Sequence, residues 1–553
     1  MKNESLIIII LFLIKFSATM YNNGENWAIL ACGSKGYTNY RHQADVFHVY
    51  QSLIKRGFSK NHIILFAYDD IAYNPRNPFP GEIYNRPDGP NVYEGVIIDY
   101  SDNNVNPEIY LSVLKGDTQN GKLTKVLNST ENDNIFLFFS DHGVAGAIVF
   151  PDSNFLYADE LEETFKIMKA KKMYKNIIFY LESCYSGSMF YDINPELNVY
   201  SITAANPNEQ SLATYCYPQD FVKGEEMHTC LSNEFTSNWL DDSDSRIIIN
   251  EDIKNDPLND FYKYSNHEQF IFVKELTKNS HVQEYGNLSI GDLPITHFQS
   301  SNDTYNNKKE EEKDKQEKKT EDEEYEEIKR RIIDFDFNSE EKGQDYLYSY
   351  ENNENDFENI EFDNILFVNF DESAQKKEEY NYIAYMINRN KYLKKDESKK
   401  EKNTSNKIKD GDILRGKKGK EKEKKLVKNT QFNLLSSYVK LFYLELDIEK
   451  SKDIKKYLDF QKEMKEIKKT KNLFGILRLK LSIPDEIEIN QKIDYKCLRS
   501  LIQLYKNECG IDERDLEYIS SFSYVCSKKD INISIIKEYI VKLCRDKKDG
   551  LLY

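Results

Sequence analysis

From Trp27 to about Phe298, short and almost unbroken apolar runs alternate with amphipathic ones, a pattern that leaves few folds open. "WAILACG", "HIILFAYDD", "NIFLFFSDHG", "NIIFYLESC" and "NVYSITAA" read as strands, whereas "RHQADVFHVYQSLIKRG" (stopped by Gly57) and "YADELEETFKIMKAKK" read as helices. Strands apolar on both faces must be covered on both. The pattern therefore predicts an α/β domain with a mostly parallel sheet flanked by helices. In such sheets, reactive groups collect at the carboxyl ends of strands, where loops meet.

The texture changes near Gln299. "KKEEEKDKQEKKTEDEEYEEIKRR" and "KKDESKKEKNTSNKIKDGDILRGKKGKEKEKK" are charge-dense and cannot bury enough surface to offset the entropy of ordering. "DNILFVNF" and "YNYIAYMINRNKYL" between them read as short docking segments. Helical patterning returns at about Gln431, in "LLSSYVKLFYLELDI", "KNLFGILRLKL", "CLRSLIQLYKNEC", "LEYISSFSYVC" and "IIKEYIVKLC". The expected layout is a signal peptide over 1–18, a short propeptide over 19–26 and the α/β domain over 27–298. A low-complexity charged linker over 299–430 and a small all-α domain over 431–553 follow.

A net charge of -17 argues against nucleic-acid binding, since no basic face dominates. The start, "MKNESLIIIILFLIKFSA", has an apolar core from Leu6 to Ile14, too short for a membrane span, and Ser17-Ala18 offers a small-residue cleavage site. Phe16 makes that site imperfect. No later segment is long and apolar enough to cross a bilayer. Entry into the secretory route makes cysteine pairing relevant. Cys216, Cys230, Cys497, Cys509, Cys526 and Cys544 can form three bridges, leaving Cys32 and Cys184. Asn128, Asn287, Asn302, Asn403 and Asn532 lie in sequons that could carry glycans.

Two strand ends carry chemistry. One ends in Asp141-His142-Gly143, the other in Glu182-Ser183-Cys184, followed by the small residues Ser186, Gly187 and Ser188. On parallel neighbours, His142 and Cys184 would emerge on one edge, and an imidazole can generate a thiolate. The Gly143 and Cys184 N–H groups could form an oxyanion hole. A lone cysteine at a strand end is usually a small buried hydrophobe, and a lone His-Gly is usually a turn. The pair on one sheet edge reverses that balance. A phosphatase loop would want Arg where Phe190 stands. "GDTQNGKL" (116–123) lacks the hydroxyl residue of a phosphate loop and reads as a surface turn. His267-Glu268 lacks a second His, so neither metal nor cofactor is assigned.

The segments "GSKGYTNYRHQADVFHVYQ", "YDDIAYNPRNPFPG", "SDHG", "ESCYSGSM", "TAANPNEQS", "NWLDDSD" and "SHVQEYGN" closely resemble legumain, the asparaginyl endopeptidase family of caspase-like cysteine proteases. "CLRSLIQLYKNEC" is similar to that family's helical prodomain. The resemblance implies a caspase-like sheet and a thiol protease cutting after Asn, and more slowly after Asp. It makes Cys184 the nucleophile, His142 the general base and acid, and Asn39 the residue orienting the imidazole. Arg41, His42, Glu182, Ser211 and Asn233 fall at S1 pocket positions. It also implies bridges Cys216–Cys230, Cys497–Cys526 and Cys509–Cys544, with Cys32 buried and unpaired.

Two positions depart from the family pattern. Tyr185 stands where an acid usually follows the nucleophile. Asn233 stands where the pocket usually has Asp, with the adjacent Glu234 as a candidate substitute. Losing that carboxylate should weaken Asn preference and reduce repulsion of a P1 Asp.

The layout implies a zymogen whose C-terminal domain inhibits it in cis. Carboxylates paired across the contact would protonate and loosen it in acid, and self-cleavage would fall in the linker, with Asn306, Asn307, Asn388 and Asn390 as candidates. Expected partners are proteins and peptides with exposed Asn or Asp, and cystatin-type inhibitors. The expected location is a lysosome-like or vacuolar compartment, with secretion as the alternative. Rival readings are a lipid-anchor transamidase, a peptide asparaginyl ligase, and a catalytically impaired binding protein. The linker's plainest reading is a low-complexity insertion.

Overall fold

The computed structural model describes residues 24–252, 263–301 and, with short breaks, 434–548. The leader, most of the linker, the sequons at Asn302 and Asn403, and all four candidate cut sites lie outside the described residues.

The central sheet is built from β1 (Asn26–Cys32), β2 (Ile63–Phe66), β3 (Asn134–Ser140), β4 (Asn176–Glu182), β5 (Val199–Thr203) and β8 (Gln283–Gly286). Their spatial order is β8-β5-β4-β3-β1-β2, parallel throughout except for the antiparallel edge strand β8. The continuous apolar runs are explained by burial on both faces. Leu30, Phe136, Phe138, Ile178 and Tyr180 pack on one side, while Ile29, Ile135, Leu137, Phe179 and Leu181 pack on the other.

Helices α1 (Tyr40–Lys55), α4 (Glu234–Asp252) and α5 (Asn266–Leu276) cover the first face, contributing Phe47, Trp239 and Phe270. Helices α2 (Pro107–Leu114) and α3 (Ala158–Ala170) cover the second, with Tyr110, Phe165 and Met168. Gly57, at φ 87°, turns the chain out of α1 in a conformation that costs other residues energy. The stretch 116–123 is a turn, as expected, and Leu123 anchors it in the core.

Among the described residues the C-terminal region is helical apart from a short strand, with α6 (Val439–Ser451), α7 (Ile454–Leu481), α8 (Tyr495–Cys509), α9 (Leu516–Ser527) and α10 (Ile533–Lys548). These helices and the α/β half belong to one compact unit. One expectation needs correction. "LLSSYVKLFYLELDI" is not helical throughout. Leu434–Leu435 (β9) pairs antiparallel with β6 (Leu212–Thr214), whose other side pairs with β7 (Ser232–Asn233), and the helix begins only at Val439. The open edge of β6 offers backbone partners that a helix would forgo. "KNLFGILRLKL" is helical, as expected, and forms the end of the longer α7, whose earlier turns are too polar to show an apolar stripe.

Candidate active site

β3 and β4 run parallel in register, with Ser140 opposite Glu182, so Asp141-His142-Gly143 and Ser183-Cys184 leave the sheet side by side. The Asp141 N–H donates to the Glu182 carbonyl at 3.1 Å and holds the two exits together. Gly143 has no room for a side chain: a Cβ there would stand 2.3 Å from the Cys184 carbonyl oxygen. Tyr185, directly after the thiol, adopts a left-handed conformation (φ 56°), and its N–H donates to the Glu209 carbonyl at 2.7 Å. That sharp turn swings the chain away from the Cys184 side chain.

His142 Nε2 lies 3.0 Å from Asn39 Oδ1. Because that oxygen can only accept, Nε2 carries the proton and Nδ1 is left as the base. His42 packs edge-on against the His142 ring, centroids 5.1 Å apart, and its Nδ1 lies 2.8 Å from Ser34 Oγ and 3.2 Å from Asp141 Oδ1. Burial pushes the Cys184 thiol up to about 11, against the opposing pull of Ser211 and Arg41. Burial and the Arg41 charge push His142 down to about 3. The pair therefore rests as a neutral thiol and a neutral imidazole. Ser211 Oγ lies 4.0 Å from the Cys184 sulfur.

The expected pocket residues converge. The Arg41 side chain is buried, and its Nε donates to Asn233 Oδ1 at 3.0 Å. Asn233 Nδ2 donates in turn to Asp45 Oδ2 at 2.7 Å. Glu182 Oε2 accepts from the Thr236 N–H at 3.0 Å and its hydroxyl at 2.9 Å. Burial pushes the Glu182 carboxyl up to about 8 and that of Asp45 up to about 6. Glu234 does not replace the missing pocket acid: at the start of α4 it turns to the Lys278 N–H and the Asn279 amide. Sequence reading missed Asp45 and Thr236. The spacing of Arg41 and Asp45, four apart on α1, was the available signal for the first.

Among the described residues, one group of metal-ligating side chains stands close together. His42, Asp141 and His142 offer ligand atoms within 4.8 Å of one another. Hydrogen bonding to Ser34 and Asn39 engages both imidazoles.

The C-terminal helices lie over this edge. Asn39 Nδ2 donates to Glu513 Oε1 at 2.6 Å. Ser523 Oγ donates to the Ala145 carbonyl, and Ser520 Oγ accepts the Ala145 N–H. Arg499 clasps Asp159 through two bonds of 2.7 and 2.6 Å, and Lys506 donates to the Ser153 carbonyl. β9 runs along β6, immediately after Ser211. Under this cover Cys184 is 6% exposed and His142 8%. The three expected disulfides are formed, Cys216–Cys230, Cys497–Cys526 and Cys509–Cys544, and Cys32 and Cys184 are free and buried.

The Peptidase C13 family profile matches residues 26–301, the span that holds every residue of this site except those of the cover. The chain belongs to the legumain, or peptidase C13, family. Mouse (Mus musculus) legumain is 41% identical over 281 residues, which are 50% of this chain and 60% of that one. Schistosoma mansoni hemoglobinase is 42% identical over 283 residues, 51% of this chain and 61% of that one. Canavalia ensiformis legumain is 42% identical over 278 residues, 49% and 56% respectively. The chain thus spans less than two thirds of the length of these C13 relatives, and its C-terminal helices lie outside the matched family span. Caspase-1 from Spodoptera frugiperda superposes with a TM-score of 0.27 at 10% identity, over 48% of this chain and 89% of that one, a likeness too low to carry an argument.

Proposed function

We propose that this chain is a cysteine endopeptidase that cuts after asparagine and aspartate and is made as a precursor held covered by its own C-terminal helices. The reading rests on the His142–Asn39 bond beside Cys184, at the ends of two adjacent parallel strands in a C13 family chain. Once the cover is released, water and substrate reach the thiol. His142 Nδ1 takes the thiol proton, and the thiolate attacks the carbonyl carbon after the P1 residue. The oxyanion is held by the N–H groups of Gly143 and Cys184. Collapse breaks the C–N bond, and the leaving amine takes the proton from His142. A water, deprotonated by His142, then opens the thioester and releases the carboxylic acid and the thiol.

Asn39 keeps the imidazole in the tautomer that these transfers need. Arg41, Glu182 and Asn233 read the P1 side chain. The rival reading of a catalytically impaired binding protein requires Asn233 to be a defect. A side chain hydrogen-bonded on both sides is poor grounds for that view. The apolar leader supports entry into the secretory route, with an acidic lysosome-like or vacuolar compartment as destination. Among the described residues, no helix is long and apolar enough to cross a membrane.

The test is hydrolysis of matched fluorogenic peptides ending in Asn, Asp or Ala by the full chain, before and after acid treatment, with Cys184→Ala as control. Cleavage after Asn or Asp that appears on opening and vanishes in the variant is the expected result. Cleavage that survives in the variant, or none in the opened chain, refutes the reading.

A further inference from the structure

The pocket beside Cys184 has an unusual charge balance, set by Asn233. This side chain stands between two charges, with Arg41 Nε on its oxygen at 3.0 Å and Asp45 Oδ2 on its nitrogen at 2.7 Å. A guanidinium can only donate and an ionised carboxylate can only accept, so the orientation of the amide is determined. Asp45 is fully buried, and its oxygens are further engaged by Asn85 Nδ2 at 2.8 Å, Ser232 Oγ at 2.7 Å and Ser140 Oγ at 3.3 Å. Its charge is thus satisfied behind the amide. Glu182, whose carboxyl burial pushes up to about 8, is a neutral acid at neutral pH and offers a proton in place of a charge. In front of the buried Asp45, the expected pocket groups therefore add up to one cation, one neutral acid and one amide.

A second observation is independent of Asn233. A carboxyl group already occupies this place: Glu513 of the cover reaches in to Asn39 Nδ2 at 2.6 Å, where burial pushes the carboxyl up against the opposing pull of Asn39, Lys440 and Arg41. Burial works to lower the Arg41 guanidinium, and Glu513, ahead of Asp141 and Asp45, works against it. The cover thus brings to the pocket mouth the same chemical group that an acidic substrate would bring.

We propose that this pocket is built to receive an ionised acidic side chain, so that aspartate at P1 is cut in its carboxylate form as readily as asparagine. The inference rests on the protease reading above and adds the charge state of the preferred substrate. Asn233 is its specificity-determining residue. A second carboxylate in its place would repel an anionic P1 group and favour a neutral amide.

The experiment compares kcat/KM for peptides differing only in P1 Asn or Asp, at about pH 7, where a P1 aspartate is ionised. The enzyme is the full-length chain opened by limited tryptic cleavage in its Lys-rich segment, with Cys184→Ala treated in parallel. The expected result is Cys184-dependent cleavage of both peptides within about tenfold of each other. Asn233→Asp should lower the Asp-to-Asn ratio by about tenfold or more. A native enzyme that favours Asn by more than about a hundredfold overturns the inference and leaves the protease reading standing, whatever the variant does. Absence of Cys184-dependent cleavage of either peptide overturns both.

Discussion

At the scale of single residues, the site depends on side chains whose freedom has been removed. Asn39 accepts from His142 with its oxygen and donates to the Lys35 carbonyl, 3.1 Å away, with its nitrogen. Replacing Asn39 with Ala should leave the thiol and the base in place but free the imidazole to turn. We expect kcat to fall by about a hundredfold with little change in KM, read by steady-state kinetics on the opened enzyme. Gly143 is constrained by space: a methyl there would sit 2.3 Å from the Cys184 carbonyl oxygen and 2.9 Å from Ser183 Oγ. Gly143→Ala should therefore shift the nucleophile, costing about 1–3 kcal/mol of stability in thermal melts and most of the activity. The placement of Cys184 and His142 at the ends of neighbouring strands was legible from the residues alone. The role of Asp45 was not, because a buried acid four residues along a helix reads equally well as an ordinary intrahelical partner.

At the scale of elements, the cover is held by parts of different strength. The Arg499–Asp159 pair is part-exposed and bidentate, worth at most about 1 kcal/mol. More depends on the fold of the cover itself. Cys509–Cys544 joins α8 to α10 across a separation of 35 residues, a closure worth about 3–4 kcal/mol. Replacing both cysteines with Ser should loosen the helices and raise the rate at which iodoacetamide modifies Cys184 in the full chain, with peptide mapping as the readout. Glu513→Ala should raise that rate too, without lowering the melting temperature of the α/β half. Strand β9 shows why sequence periodicity misleads at such joints. "LLSSYV" has the apolar content of a helix start, yet the unpaired edge of β6 competes for its backbone, and that edge exists only once the chain has folded.

At the scale of the whole molecule, the contact between α6 and the loop from Cys216 to Cys230 gathers several titratable groups. His228 faces Glu226 at 3.3 Å and Asp447 at 3.4 Å. Lys450 pairs with Glu226, and Lys456 lies 3.4 Å from Asp447. The neighbouring carboxylates of Asp447 and Glu226 push His228 up to about 9. Its contribution is fully present below about pH 6.5 and is lost as pH rises through about 9. His228 holds Asp447 below the ordinary carboxylate range, so the part due to Asp447 is present above about pH 4 and is lost as pH falls further. These groups therefore keep the cover closed through mild acid, and at this contact release belongs below about pH 4. Hydrogen exchange of residues 439–451 should stay slow from neutral pH down to that point and then quicken. Quickening already near pH 6 would contradict the assignment.

Local pattern along the chain specifies one part of this architecture. Apolar runs on both faces demand a covered parallel sheet, and a thiol and an imidazole at the ends of adjacent strands demand a shared edge. Tertiary structure alone decided that Asn233 relays Arg41 to Asp45, that Glu234 turns away, and that Glu513 closes on Asn39. Each of these joins residues far apart in the chain or depends on which way one side chain faces. A buried charge takes its partner from whatever folding brings near, and no spacing in the sequence specifies that.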